Sequence, residues 1–163
     1  MNGIVHIPKY LSDEQATDYF HMLEEHLPWQ TVQWSTGRNL PRLVCSYEVG
    51  SLVSLDQLIE LIEKAFNVSV EGVWCNFYRD GNDYTPPHKD SYNTDVYTLS
   101  LGGTRNCVFT KDADANRSVY ALQSGDILFF DQATNAQYKH SIPKSSAVND
   151  PRISVVFFTH PIL

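Results

Sequence analysis

The stretch Val73-Trp74-Cys75-Asn76-Phe77-Tyr78 is where the hydrophobic pattern of this chain changes from a helical period to a period of two. Because successive side chains of a strand point to opposite faces of a sheet, a period of two predicts a β-strand. Further short segments of this kind follow, separated by turn signals rich in Gly, Asn and Asp. The predicted strands are Val73–Tyr78, Val96–Leu101, Arg105–Thr110, Arg117–Leu122, Asp126–Asp131, Tyr138–Ile142 and Arg152–His160.

Two helices are predicted before these strands. Ser12-Asp13-Glu14-Gln15 has the pattern of a capping box, and apolar residues follow it at helical spacing until Pro28. A second pattern of this type, Ser54-Leu55-Asp56-Gln57, opens a second apolar helix that stops at Asn67. Many short antiparallel strands behind two helices predict a mainly β fold of the α+β class, a jelly roll with helices backing one sheet. With 163 residues, the chain has the length of a single domain covering 1–163.

The composition is that of a folded domain with an acidic balance. The 19 acidic and 12 basic residues give a formal net charge of −7, and the pI is near 5.2. Bulk charge therefore provides no attraction to a phosphate-coated surface, and contact with nucleic acid would need a local basic patch. The cysteines Cys45, Cys75 and Cys107 lack Cys-x-x-Cys spacing, so we expect reduced, buried thiols and a cytoplasmic location. No apolar run approaches the length of a membrane span, so no membrane partner is expected.

The tripeptide His88-Lys89-Asp90 carries the first chemical signal. On one strand, its imidazole and its carboxylate would project from the same face and could bind one side of a divalent metal ion. A second imidazole, from His140, would complete a set of two histidines and one carboxylate, which is typical of non-haem Fe(II) oxygenases. This set leaves coordination positions free for a co-substrate and O2. Taken singly, His-x-Asp is a common tripeptide, and His140 also fits a structural histidine near a turn.

Short blocks with a recognisable order lie between residues 74 and 160. They are Asn76–Gly81, His88–Asp90, Leu99–Arg105, Ser124–Leu128, Lys139–Pro143 and Pro151–Ser154. In order and spacing they resemble the AlkB-like family of Fe(II)/2-oxoglutarate-dependent dioxygenases. Upstream, Leu40-Pro41-Arg42-Leu43 with Tyr47 resembles the segment that opens the substrate lid of that family. The resemblance implies a double-stranded β-helix (a jelly roll), with the two helices of the N-terminal half packed on the major sheet.

The resemblance also implies the residues of the site and their ligands. The iron ligands would be His88, Asp90 and His140. The side chains that face 2-oxoglutarate would be Asn76, Tyr78, Arg152 and Ser154. A planar guanidinium such as that of Arg152 binds a carboxylate through two parallel hydrogen bonds, which suits the distal carboxylate of 2-oxoglutarate. The cofactor is then Fe(II), with 2-oxoglutarate and O2 as co-substrates, and a hydroxylated N-alkyl carbon of the substrate would leave as an aldehyde.

The substrate implied by the resemblance is an N-alkylated nucleobase or nucleotide, in a single strand or extruded from a duplex. The side chains that we predict to contact it are Trp34, Tyr47 and Tyr92, because flat aromatic faces stack on bases. For Trp34 and Tyr47, packing in the core is an equal alternative. Trp74 is assigned to core packing, since it lies on an apolar strand. The expected partners are therefore 2-oxoglutarate and single-stranded or alkylated nucleic acid, and the chain is expected to be a monomer.

Three departures from the family pattern leave other functions open. Phe158 stands where the family usually has a second arginine, and Tyr92 stands where its nucleic-acid dealkylases usually have an acid. The lid segment after Tyr47 is also short. The same chemistry on a small molecule or a peptide side chain is one alternative, and a non-catalytic metal-binding jelly-roll module is another. Either Arg79, Arg105, Lys139 or a bound water compensates for Phe158, or the affinity for 2-oxoglutarate is lower.

Overall fold

The computed structural model describes residues 1–163, and all of its strand pairs are antiparallel. The strands are β1 (Ile4–Ile7), β2 (Leu43–Ser46), β3 (Val68–Tyr78), β4 (Thr85–His88), β5 (Asp95–Gly102), β6 (Arg105–Lys111), β7 (Arg117–Leu122), β8 (Ile127–Phe130), β9 (Tyr138–Ile142) and β10 (Arg152–Pro161). The helices are α1 (Asp13–His26), α2 (Val53–Phe66) and α3 (Gln132–Gln137). None of these helices is long and apolar enough to cross a membrane.

Two sheets pack against each other as a jelly roll. The larger sheet has six strands in the order β1-β8-β5-β10-β3-β2, and the smaller has four in the order β4-β9-β6-β7. Helix α1 packs on β5 and helix α2 packs on β3, so both cover the larger sheet. The predicted mainly β jelly roll, with two helices on its major sheet, is confirmed.

Alternation along β10 divides the interior into two layers. Ile153, Val155 and Phe157 are fully buried in the layer between the larger sheet and the helices. The opposite face of β10, which includes Phe158, points between the two sheets. Because truncating a buried phenylalanine costs about 3–5 kcal/mol, Phe157→Ala would remove much of the stability of the helix-covered layer. The three cysteines are free and buried, as predicted.

Helix α1 begins at its predicted capping box. Ser12 Oγ accepts the Gln15 N–H at 3.1 Å, and Gln15 Oε1 accepts the Ser12 N–H at 3.0 Å. The helix then buries Ala16, Phe20 and Leu23 against the larger sheet. The local sequence and the packed face therefore agree on where this helix lies.

Helix α2 does not begin at a capping box, so that prediction is wrong. Ser54 lies inside the helix, and its buried hydroxyl has no hydrogen-bond partner. The chain before the helix is held instead by Asp56, whose Oδ1 accepts the Gly50 N–H at 3.0 Å and the Tyr47 hydroxyl at 2.8 Å. These contacts come from residues outside the helix, so the local pattern does not reveal them. The helix ends as predicted at Asn67, which is left-handed with φ 53°.

Three strands and one helix lie outside the predicted elements. Strand β4 contains Pro86 and Pro87, which cannot donate ladder hydrogen bonds, so its sequence is more typical of a turn. Strands β1 and β2 have only four residues each and form the two edges of the larger sheet. Helix α3 is a short turn of helix whose first N–H groups are capped by Asp131. Strand β3 also begins at Val68 rather than at the predicted start.

Candidate active site

The pairing of β4 with β9 brings two histidines together. His88, the last residue of β4, lies opposite His140 on β9, with ring centroids 4.2 Å apart. Asp90 Oδ1 lies 3.3 Å from His88 Nε2 and 3.6 Å from His140 Nε2. The potential ligand atoms of all three residues lie within 4.8 Å of one another. Two imidazoles and one carboxylate at this spacing form a donor set suited to a divalent transition metal.

Asp90 lies in a loop, which corrects the prediction that it shares a strand with His88. Strand β4 ends at His88, and Asp90 follows in the loop. Asn135 of α3 holds this loop, since its Oδ1 accepts the Asp90 N–H at 3.0 Å and its Nδ2 donates to the Asp90 carbonyl oxygen at 2.9 Å. Both backbone groups of Asp90 are thus fixed, and with them the direction of its carboxylate. Asn135 is a positioning residue without a local sequence signal, because it lies 45 residues farther along the chain.

The protonation states of this cluster suit metal binding. Burial lowers the pKa of His140 to about 4, so its imidazole is neutral near pH 7. Burial by itself raises the pKa of Asp90, but the hydrogen bond with His88 and the charges of both imidazoles outweigh it and hold that pKa below its usual value. His88 Nδ1 lies 2.9 Å from the Pro86 carbonyl oxygen, and His88 Nε2 faces the Asp90 carboxylate. The cluster therefore offers one carboxylate and two imidazoles as metal donors.

A single cavity of about 250 Å³ lies between the two sheets, and both this cluster and a buried arginine line it. Arg152 is 1% exposed, and its Nη2 donates to Ser100 Oγ at 2.9 Å. Its Nε and Nη1 are buried without a hydrogen-bond partner. Burial lowers the pKa of Arg152, while the Tyr78 hydroxyl and the Cys107 thiol oppose that shift. The Tyr78 ring lies 5.2 Å from the guanidinium carbon. A buried guanidinium with unused donors suits an anion, and its planar geometry matches a carboxylate.

The other residues predicted to face 2-oxoglutarate line this cavity as well. Pairing of β3 with β10 places Tyr78 opposite Arg152, and Asn76 opposite Ser154. Asn76 Nδ2 donates to Ser154 Oγ at 3.0 Å, and the Tyr78 hydroxyl shares a hydrogen bond with Thr85 Oγ1 at 2.7 Å. The fold thus gathers the predicted metal and co-substrate residues in one place, and their roles remain predictions.

Arg42 and Trp74 line the cavity in addition to the predicted residues. Asn76 Oδ1 accepts hydrogen bonds from Arg42 Nε at 2.8 Å and from Trp74 Nε1 at 3.0 Å. Trp74 packs against the core between the sheets, as assigned, but its indole also faces the cavity. Alternation could have revealed this, because Trp74, Asn76 and Tyr78 share one face of β3. Arg42 precedes β2 and has no comparable signal beyond its place in the lid-like segment.

The aromatic residues predicted to contact substrate lie in three different places. Tyr92 lines the cavity, is 55% exposed and stacks on Phe158 with ring centroids 4.3 Å apart. Trp34 lies in the loop before β2 and does not line the cavity. Tyr47 is buried in the core, where its hydroxyl accepts the Leu52 N–H at 2.9 Å. The substrate contact predicted for Tyr47 is therefore corrected, because its ring and hydroxyl stabilise the start of α2.

None of the cations expected to compensate for Phe158 is available to the cavity. Arg79 Nε donates to Asp83 Oδ2 at 2.8 Å. Arg105 is 2% exposed and donates to three backbone carbonyl oxygens at 2.8–3.1 Å. Lys139 is exposed on β9 and does not line the cavity. Any compensation by a side chain has to come from another residue.

Comparisons with known proteins support an AlkB-like chain. No model of a known protein family matches it. It is 28% identical over 112 residues to alpha-ketoglutarate-dependent dioxygenase alkB homolog 3 of Mus musculus, covering 60% of this chain and 39% of that protein. It is 29% identical over 115 residues to the DNA oxidative demethylase ALKBH2 of Mus musculus, covering 63% of this chain and 46% of that protein. The chain thus spans less than half the length of these curated relatives.

Solved structures share the fold at low sequence identity. A Pseudomonas putida prolyl-4-hydroxylase superposes with a TM-score of 0.68 at 13% identity, covering 100% of this chain and 95% of that one. The structure of OsALKBH1 superposes with a TM-score of 0.65 at 15% identity, covering 97% and 98% of the two chains. Identities this low show the fold alone. The curated relatives and these folds make the chain similar to AlkB-like Fe(II)/2-oxoglutarate-dependent dioxygenases.

Proposed function

We propose that this chain is a non-haem Fe(II)- and 2-oxoglutarate-dependent dioxygenase, with residues 1–163 acting as one catalytic domain. The observation that carries the proposal is a single cavity lined by both the His88, Asp90 and His140 cluster and the buried Arg152. The donor set suits iron, and the unpartnered nitrogens of Arg152 suit a carboxylate. The AlkB-like relatives support the same chemistry.

Each part of the cavity has a task in this reaction. The two histidines and the aspartate would hold iron from one side and leave the other positions open. A bound iron would supply the activation of O2: one oxygen atom would go to 2-oxoglutarate as it is decarboxylated to succinate and CO2, and the other to the hydroxylated carbon of the substrate. Arg152 would bind the distal carboxylate beside Tyr78, and Asn76 with Ser154 would orient the rest of the molecule. Apolar walls such as Phe130 exclude water from the reacting centre.

The substrate class that we propose first is an N-alkylated nucleobase or nucleotide, whose alkyl carbon is hydroxylated and released as an aldehyde. One curated relative is named a DNA oxidative demethylase, which supports this class. The cavity reaches the surface beside Tyr92, whose exposed ring offers a flat face for a base. A base would enter from a single strand or after extrusion, because a recessed site cannot reach a base stacked in a duplex.

A small molecule or a peptide side chain is the second candidate substrate. The observation that favours it is the contact between Tyr92 and Phe158, which gives this part of the cavity an uncharged wall. Asp90 is the only carboxylate among the lining residues, and it would be a metal ligand. A cationic alkylated base would therefore find no free carboxylate, and a net charge of −7 gives no general attraction for nucleic acid.

The test of the proposal is anaerobic titration of the metal-free protein with Fe(II) and 2-oxoglutarate, monitoring the visible charge-transfer band of the chelate. We expect a band in the wild type that is absent from His140→Ala and weak in Arg152→Met. His160→Ala is the matched control, because His160 is exposed and pairs with Glu71 at 3.2 Å, outside the cavity. Metal binding by the wild type without a band would refute the proposal in favour of a non-catalytic metal-binding module.

Turnover assays decide between the two substrate classes. Succinate formation is measured with alkylated single-stranded oligonucleotides at increasing salt concentration, and in parallel with free small molecules and peptides. An oligonucleotide substrate should stimulate turnover less as salt rises, because phosphate contacts release counterions. Stimulation by small molecules or peptides, with none by oligonucleotides, would instead support the second class.

A further inference from the structure

Arg42 carries an unused donor inside the cavity. Its Nε donates to Asn76 Oδ1 at 2.8 Å, whereas its Nη1 is buried without a hydrogen-bond partner. A buried donor on a charged group is costly to leave unpaired. An anionic ligand that enters the cavity would satisfy this nitrogen, as it would those of Arg152.

The third cation of the cavity lining has partners within the chain. Besides Arg42 and Arg152, the lining contains Lys89. The Lys89 ammonium is hydrogen-bonded to the Asp112 carboxylate and to the Ala136 carbonyl oxygen, which anchors it at the surface. Arg42 and Arg152 are therefore the two cationic lining residues with buried, unpartnered nitrogens.

The positions of these two arginines along β3 suit a small dicarboxylate. Tyr78 pairs with Arg152, and Asn76 lies two residues back along β3, a step of about 6.6 Å. Arg42 contacts β3 through Asn76, whose Oδ1 also accepts a hydrogen bond from Trp74. 2-Oxoglutarate has a carboxylate at each end of a five-carbon chain, whose length is comparable with this step. A 2-oxoglutarate that is bound by Arg152 through one carboxylate is therefore long enough to reach the level of Asn76 and Arg42 with the other.

We propose that Arg42 binds the carboxylate of 2-oxoglutarate that lies nearer the metal, so that the co-substrate sits between two guanidinium groups. This inference rests on the proposed function and adds a residue to its co-substrate site. It also accounts for the second positive charge in a chain that has Phe158 where an arginine was expected. The ring of Phe158 is free to stack on Tyr92 because the charge comes from another segment.

The test is equilibrium binding of 2-oxoglutarate to the Mn(II)-loaded protein, measured by calorimetry without turnover. Arg42→Met should weaken binding by about 10–100-fold, or about 1.4–2.8 kcal/mol at 1.4 kcal/mol per tenfold. Arg42→Lys keeps the charge and should recover part of the loss. Arg38→Met is the matched control, because Arg38 is an exposed arginine of the same loop. This variant should bind 2-oxoglutarate with the affinity of the wild type. The affinity for Mn(II) alone should be the same in all of these proteins, which shows that they are folded.

A second probe separates the two carboxylate sites. 4-Oxopentanoate has a methyl group in place of the carboxylate nearer the metal and keeps the distal one. In competition with 2-oxoglutarate, it should bind Arg42→Met as well as it binds the wild type, and it should bind Arg152→Met more weakly than either. A loss of 4-oxopentanoate affinity in Arg42→Met would overturn the assignment of Arg42 to the nearer carboxylate.

Failure of this inference is distinguishable from failure of the proposed function. If the wild type binds Mn(II) but not 2-oxoglutarate, the proposed function fails and this inference fails with it. If the wild type binds 2-oxoglutarate and Arg42→Met binds it equally tightly, only the role of Arg42 is overturned. A raised KM for the organic substrate in that variant would then assign Arg42 to the substrate.

Discussion

Arg152 and Arg105 should respond in opposite ways to the same substitution, because only one of them is satisfied within the chain. Both guanidinium groups lie against the Tyr78 ring, 5.2 and 5.3 Å from its centroid. Arg105 donates to three backbone carbonyl oxygens, whereas Arg152 donates only to Ser100 Oγ. We predict that, without ligand, Arg152→Met stabilises the protein and Arg105→Met destabilises it.

The expected magnitudes come from the hydrogen bonds that each side chain makes. An ion buried without a counter-ion costs several kcal/mol even after relaxation. For Arg152, the Ser100 hydrogen bond returns about 1.5–3 kcal/mol and the Tyr78 ring about 2 kcal/mol. Methionine fills a similar space without a charge to desolvate, so we expect a gain of about 1–3 kcal/mol in the free energy of unfolding. In Arg105→Met, three carbonyl oxygens lose their donor, and a loss of about 2–4 kcal/mol is expected.

Urea unfolding of the metal-free protein, in buffer without carboxylates or phosphate, measures both effects. In thermal unfolding, each kcal/mol of change in the free energy of unfolding should shift the Tm by about 2–4 °C for a chain of this size. At 100 times its Kd, 2-oxoglutarate should stabilise the wild type by about 2.7 kcal/mol and should not stabilise Arg152→Met. The reasoning would be refuted by metal-free Arg152→Met being less stable than the wild type by more than about 1 kcal/mol. That result would mean that a partner within the chain satisfies Arg152.

Asn135→Ala should weaken Mn(II) binding by about 10–100-fold, because it releases both backbone groups of Asp90. Calorimetry checks this, and the exposed Asn116→Ala should bind as the wild type does. Asp126→Asn should lower the free energy of unfolding at pH 7 by about 1–3 kcal/mol, since its buried carboxylate accepts three hydrogen bonds. Burial by itself raises the pKa of Asp126, but these bonds outweigh it and hold the pKa below its usual value, so the stabilisation is complete above about pH 4 and is lost as the pH falls further. Urea unfolding at pH 7 and at about pH 3 checks this pH dependence, and the exposed Asp114→Asn is the control. A stability difference between Asp126→Asn and the wild type that grew larger in acid would contradict it.

The strands could be predicted where one buried face determines the pattern. Strands β7 and β9 have the predicted bounds, Arg117–Leu122 and Tyr138–Ile142. The elements that could not be predicted depend on partners far away in the sequence. Strand β4 forms in spite of two prolines because His88 and Thr85 pair with β9. The start of α2 likewise depends on groups outside the helix, the Tyr47 hydroxyl and the Gly50 N–H, which bind Asp56 in place of the missing capping box.

The candidate site shows the same division between local and distant information. Residue types and order were enough to select the three metal-binding candidates and Arg152. The direction of the Asp90 carboxylate was not predictable, because it depends on Asn135 in a helix that has no clear local pattern. Arg42 could not be placed either, since an arginine in a loop is usually exposed. Its partial burial follows only from the position of Asn76 on the neighbouring strands.

Tyr92 and Phe158 show why two departures from a family pattern need to be considered together. In the sequence they are separate losses, of an acid and of an arginine, but in the fold their rings touch at 4.3 Å with 30° between the ring planes. At two positions in contact, replacing only the acid would leave an unpaired arginine, and replacing only the arginine would leave an unpaired carboxylate. Replacing both with aromatic rings keeps the wall neutral and contributes about 0.5–1.5 kcal/mol beyond the buried area. Positive charge with unused donors then remains only at Arg42 and Arg152, which leaves an apolar surface beside the metal cluster for the substrate.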